Sequence, residues 1–247
     1  MDIPYTSDEL FHFAGYGSPT DDEKNYQTLL KILHDGCISH PPHNNDWGSV
    51  TVNTNWDGLL RYGDDKKNGL IIPTVTCFAD IPSGGLGIHI EKYGKFGISF
   101  SRDYLIRYGA RPVMYVPMRN DDWQSIHGTT LLNDLEAIYK SFHELVTSEV
   151  DDVGQRSRPL EKRLESRDAA IVAMDNAFTK DFLAFIKPFN AHLPVNHEEN
   201  YYMEREWRKL ANLKFEPENV CQVSVVKGYK SRLIAELPAY EDKTKEI

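Results

Sequence analysis

The sequence predicts an α+β domain, on three observations. An aromatic strand followed by a helix with a glycine stop opens the chain, β-branched runs crowd its centre, and a helical pair interrupts the strands instead of alternating with them. No glycine fingerprint of a dinucleotide or Walker loop is present, which argues against a doubly wound parallel sheet. The chain of 247 residues is expected to form a single domain, residues 1–247, with a helical insert at about 131–189.

The elements follow in order. Glu9-Leu10-Phe11-His12-Phe13 reads as a short strand, and a turn-rich stretch from Gly15 to Pro19 leads into a helix over 25–34. Leu29, Leu30, Ile32 and Leu33 recur there at helical spacing, and Asp35-Gly36 supplies the left-handed stop. Residues 40–57 are polar and rich in Pro, Asn and Trp, predicting a long loop. Residues 70–78, 95–101 and 111–118 read as the strands of the core sheet. Turn signals at 80–85 and 107–110 separate them, and 102–108 reads as a helical turn. Leu132, Leu135, Ile138, Phe142 and Leu145 form a helical stripe over 131–146, and 160–189 reads as a second helical stretch. Glu149 to Arg158 is a charged connector between the two. A strand is expected over 220–228, whereas 229–237 has no decisive pattern.

Charge and cysteine usage narrow the function classes. With 28 Lys and Arg against 37 Asp and Glu, the net charge of -9 disfavours broad adhesion to nucleic acid and leaves only a local contact. No apolar run approaches the roughly 20 residues that span a bilayer. The opening Met1-Asp2-Ile3-Pro4-Tyr5 has no basic start or apolar stretch, so a cytoplasmic location is expected. Cys37, Cys77 and Cys221 are too few and odd in number for a disulfide framework and are expected to be buried thiols.

The stretch Tyr201 to Arg208 alternates at period two and reads as a strand. That reading places Tyr202, Glu204, Glu206 and Arg208 on one face, two carboxylates beside a guanidinium. A solvated edge strand has the same pattern. His34, Cys37, His40 and His43 fall at three-residue intervals, a spacing that suggests zinc. The helix end at His34 and the stiff Pro41-Pro42 pair make closure of a tetrahedral site awkward, so no metal is expected. His12 projects opposite to Phe11 and Phe13, either as a ligand or bonded to a backbone carbonyl. In Tyr93 to Arg102, Gly94 and Gly97 flank Phe96 and permit close backbone approach, while Ser99, Ser101 and Arg102 suit phosphate or ribose oxygens. A tight turn feeding a core strand explains the same residues. The paired acids also permit a metal-dependent nuclease, although no metal-like spacing accompanies them and Arg208 competes for the carboxylates.

Leu10-Phe11-His12-Phe13, the pattern Leu-Leu-x-Ile-Leu-x-x-Gly-x-Ile over 29–38, Cys77-Phe78-Ala79-Asp80-Ile81-Pro82, residues 89–101, Pro112-Val113-Met114-Tyr115 and Glu204-Arg205-Glu206-Trp207-Arg208 together resemble the AbiGi family of abortive phage resistance proteins. The resemblance spans most of the chain outside the helical insert. More distantly, the order is similar to ADP-ribosyltransferase-like toxins that modify nucleic acid. That similarity implies a split β-sheet core and transfer of ADP-ribose from NAD, the co-substrate, to a target. It implies Glu206 as the carboxylate that stabilises the cationic ribose and Glu204 as a group acting on the acceptor. His12 would hold the nicotinamide or its ribose, Tyr93 or Phe96 would stack on the nicotinamide, and Arg102, with Ser101 beside it, would meet the pyrophosphate or ribose. The acceptor implied is nucleic acid, and Arg156, Arg158, Lys162, Arg163 and Arg167 form either a basic contact or a solvated helix face. The AbiGi label is also associated with an antitoxin role. The alternative is therefore a noncatalytic protein whose helical insert docks a cognate toxin.

Overall fold

In the computed structural model, which describes residues 7–38, 48–52, 71–82, 85, 87–118, 131, 133–141, 173–190, 193, 194, 197 and 201–247, the opening aromatic run is strand β1 (Glu9–Phe13), the middle strand of a seven-stranded sheet. In chain order there follow helix α1 (Asp22–Asp35), β2 (Cys37–Ile38), β3 (Val50–Val52), β4 (Ile71–Pro73), β5 (Val75–Ala79), helix α2 (Gly87–Tyr93), β6 (Gly97–Ser101), helix α3 (Arg102–Arg107), β7 (Arg111–Pro112) and β8 (Met114–Met118). Then come β9 (Ile186–Asn190), β10 (Glu206–Leu210), β11 (Leu213–Lys214), β12 (Val220–Val225), the helix Lys230–Glu236 and β13 (Thr244–Glu246). The class is α+β. No described helix is long and apolar enough to cross a membrane.

Contacts divide the chain into two compact units. The first comprises Met1–Ser49, Thr74–Met114 and Leu193–Ile247, and the second Val50–Pro73 and Tyr115–His192. The first unit holds the large sheet, in the order β13-β12-β6-β1-β5-β10-β7. Neighbours run antiparallel except β12 and β13. Directly paired residues share a face, so the register sorts the sheet into two. Leu10 pairs with Phe100, His12 with Ile98 and Trp207 with Phe78, and this face carries the main core. It is covered by Tyr26, Leu29, Ile32 and Leu33 of α1, by Leu233, and by Tyr240. Burial of each large apolar side chain contributes roughly 1.5–3 kcal/mol. The opposite face presents Glu9, Phe11, Ser99, Cys77, Ala79, Glu206 and Arg208.

Helix α1 starts three residues before the expected boundary because Asp21 caps it, accepting from the Lys24 amide at 3.0 Å. It ends where the sequence places its stop, with Gly36 at φ 56°. Tyr26 donates to Glu236 at 2.8 Å and Arg232 pairs with Glu23 at 2.7 Å, fastening α1 to the helix Lys230–Glu236. That helix occupies the stretch whose pattern was undecided.

Several expected elements break. The strand over 70–78 is two strands, because Pro73 has no amide to continue a ladder and the Thr74 amide instead donates to Ser49 O at 2.7 Å. The strand over 111–118 divides at Val113, whose amide donates to Glu206 O at 3.0 Å. The single strand over 201–208 is a 3-10 turn, Tyr201–Glu204, joined to β10 through Arg205 at φ 45°. The second helical stretch ends early: Leu183–Phe185 is a 3-10 turn and Ile186–Asn190 is the strand β9. Pro188 disfavours a helical conformation at Lys187 and cannot donate to a preceding turn, which explains the switch. The second unit therefore mixes strands with helix, and Val116, Leu135, Leu183 and Ile186 form its buried cluster. No disulfide joins the three cysteines; Cys37 is buried as expected, but Cys77 and Cys221 are exposed.

Candidate functional site

Strand β1, helix α2 and the 3-10 turn Tyr201–Glu204 bring together a carboxylate, an ammonium, a phenol and an imidazole in the first unit. Glu204 is buried, and its Oε1 accepts from Lys92 Nζ at 2.6 Å and from the Tyr93 hydroxyl. His89 and Tyr93 share a face of α2 by their four-residue spacing. His89 packs against Phe13 and Tyr93, with ring centroids 6.5 and 6.1 Å away. A row of roughly parallel rings runs from Phe11 through Phe13 and Tyr93 to Tyr16, each step between 6.1 and 6.4 Å. Tyr16 is 61% exposed, so the row reaches solvent at that end.

His89 is only 4% exposed, and neither of its ring nitrogens makes a hydrogen bond. Burial pushes its pKa down to about 4, opposed in part by the Glu204 carboxylate and reinforced by Lys92. The Glu204 backbone lies near enough to favour the protonated ring but short of hydrogen-bond geometry. At neutral pH the imidazole is uncharged, beside a carboxylate already compensated by Lys92.

The other expected site residues go elsewhere. Glu206 is buried and accepts from Arg208 Nε at 2.7 Å, the ion pair that the shared face of these two residues allows. Arg205, at positive φ, breaks the alternation that was expected to align Glu204 with Glu206. His12 lies on the core face, opposite to Glu206, and its Nδ1–H donates to Cys77 O at 2.8 Å. Burial lowers the His12 pKa, and the Cys77 carbonyl works against that shift. Phe96 is 0% exposed, packed edge-on against Tyr229 and Tyr26.

Arg102 donates to both Asp80 oxygens, at 3.2 and 3.3 Å, and to Ser7 O. Its guanidinium also sits 5.7 Å from the Trp207 ring centre. Asp80 is buried and receives Arg205 as well, at 3.6 Å. Ser101 caps α3 by accepting from the Tyr104 amide at 3.2 Å, and Ser99 donates to Glu9 at 2.8 Å.

Of the seven expected catalytic and cofactor-binding residues, the structure thus joins Glu204 to Tyr93 and keeps His12, Phe96 and Glu206 apart. The sequence reading passed over His89, Lys92 and Asp80. The four-residue spacing of His89 and Tyr93 was the signal for the first. No group of three or more His, Cys, Asp or Glu suited to a metal occurs among the described residues. His40 and His43 lie outside those residues, as does the basic stretch Arg156, Arg158, Lys162, Arg163 and Arg167.

Comparison with known families matches residues 61–240 to the family described as abortive phage resistance protein AbiGi, antitoxin. No curated protein and no solved structure matches the chain. The matched span is 180 of 247 residues and contains α2, α3, Asp80, His89, Tyr93, Glu204 and Glu206. This chain belongs to the AbiGi family of abortive phage resistance proteins.

Proposed function

We propose that the protein is a cytoplasmic antitoxin that neutralises a cognate toxin by binding it, without turnover of its own. The observation that carries this reading is the internal engagement of the side chains a nucleotide would need. Arg102 is spent on Asp80, Ser101 on a helix cap, His12 on a backbone carbonyl, Phe96 on the core and Glu206 on Arg208. Freeing a buried ion-paired carboxylate or guanidinium costs several kcal/mol, which NAD contacts would have to repay. The family description as an antitoxin supports the same reading.

A second reading, ADP-ribose transfer from NAD, rests on the Glu204–Tyr93 contact beside the unpaired His89. In that reaction the bond from ribose C1′ to the nicotinamide nitrogen breaks, and nicotinamide leaves with the bonding electrons. An acceptor oxygen or nitrogen, of nucleic acid in this reading, then bonds to C1′ and loses its proton. Glu204 would stabilise the cationic ribose.

The deciding experiment measures nicotinamide release by the purified protein, with and without RNA or single-stranded DNA, in wild type, Glu204→Gln and Glu206→Gln. The antitoxin reading expects no release and no NAD binding, together with a toxin complex that survives Glu206→Gln. Acceptor-dependent release that vanishes in Glu204→Gln would replace it with the transferase reading.

A further inference from the structure

In the first unit a cavity of about 710 Å³ opens beside the C-terminal end of α1. That volume lies within the range of small-ligand and side-chain pockets, roughly 300–1,000 Å³. Its buried lining is apolar and aromatic: Leu33, Cys37, Phe215 and Tyr240. Tyr104 and Tyr108 also line it, with ring centroids 4.7 Å apart, and Tyr108 is 53% exposed. Such exposure of a large ring beside a cavity leaves one aromatic face for a ligand.

The charge around these rings is negative. The carboxylates of Asp35 and Glu216 line the cavity, both on exposed residues. Helix α1 ends here at Gly36, and its C-terminal carbonyls add a partial negative charge, reduced where Tyr240 donates to Leu33 O and the Phe215 amide to Gly36 O. Burial first, and Glu216 among the nearby charges, push the phenols of Tyr104 and Tyr240 up to about 12, so both rings stay neutral. Lys214 and His34 are the basic groups of the lining. His34 faces Asp35 at 3.3 Å, and the Lys214 backbone oxygen accepts from Tyr104. Lys243 donates to the Pro217 oxygen beside the cavity and Glu218 acts on Tyr240, so three carboxylates and a helix C-terminus outweigh two ammonium groups, and the net charge of -9 has the same sign.

Neutral aromatic rings beside carboxylates bind cations, and a planar guanidinium does so better than an ammonium because it is less strongly hydrated and stacks on rings. We infer that this groove seats an arginine side chain from an exposed segment of the toxin, its guanidinium on the exposed face of Tyr108 and paired with Glu216 or Asp35, while Tyr104, stacked on Phe100, holds the Tyr108 ring in place. The inference deepens the antitoxin reading and rests on it for the identity of the partner. The cation site itself is independent of that identity.

The test uses the full chain and acetylated pentapeptide amides that differ only in a central Arg, Lys, citrulline or Glu. Binding is followed by amide chemical shifts. The arginine peptide should shift Gly36, Tyr104, Tyr108 and Phe215, and citrulline, which keeps the shape without the charge, should bind about tenfold more weakly. Tyr108→Ala with Glu216→Gln should cost a similar factor. Both residues are exposed, so the double variant should keep the wild-type circular dichroism spectrum. Equal binding of the arginine and citrulline peptides, or shifts confined to other residues, overturns the groove assignment. If toxin neutralisation is undiminished in the double variant, the groove is not the toxin contact and the antitoxin reading stands. If wild type forms no toxin complex while the arginine peptide still binds, the antitoxin reading fails and the cation site remains.

Discussion

His89 is a polar ring held in an apolar setting with no hydrogen bond at either nitrogen, and such a group makes stability depend on pH. Its folded pKa of about 4 lies below the ordinary 6.5, so the unfolded chain binds the proton more readily. Stability is therefore complete above about pH 6.5 and is lost as the pH falls towards 4. Between pH 7 and pH 5 the linkage is worth about 2 kcal/mol. Urea unfolding at both pH values should show His89→Phe losing that much less than wild type; the same loss in both proteins would mean the ring is not the sensor. At this scale the sequence was half legible. The His89 and Tyr93 pairing is written in a four-residue spacing. The parting of Glu204 from Glu206 is not, because it depends on Arg205 adopting φ 45°, a conformation that costs a non-glycine residue on the order of 1 kcal/mol and leaves no mark in the pattern.

Elements whose ends are chemically marked were read well. Helix α1 had its stop in Gly36, and the sheet's central strand had its aromatic alternation. Gly36 is held to glycine twice over: its φ is 56°, and a Cβ there would lie 2.7 Å from the Phe215 carbonyl oxygen. Gly36→Ala should cost about 2 kcal/mol or more, since a left-handed alanine and a displaced β11 segment add together. In a chain of this length that lowers the Tm by roughly 4–8 °C. A melting curve unchanged by the substitution would show that the turn relaxes freely. Two further elements were misread where a proline sits inside an otherwise continuous pattern. Pro73 splits one expected strand, and Pro188 turns the end of an expected helix into β9. Hydrophobic spacing alone does not register a missing amide.

At the scale of the molecule, the α+β class followed from the order of strand and helix signals, but strand order did not. Pairing β1 with β6 joins neighbours separated by a long connection, while β5 meets β10 only after the longer segment of the second unit, Tyr115–His192, has intervened. Nothing in a local pattern specifies such partners. Contacts this distant in sequence slow folding, so refolding followed by tryptophan fluorescence should fall in the millisecond-to-second range. Microsecond relaxation would contradict the topology. The same layout also orders events on the ribosome. The second unit closes at His192, whereas the first still awaits residues 193–247. At roughly 5–20 residues per second, β5 emerges on the order of ten seconds before β10 can cover its open side. For that interval Phe78 and Trp207, which end side by side in the finished sheet, belong to different stages of the nascent chain. Until β10 arrives, that side of β5 is an open strand edge, a template on which another chain can pair.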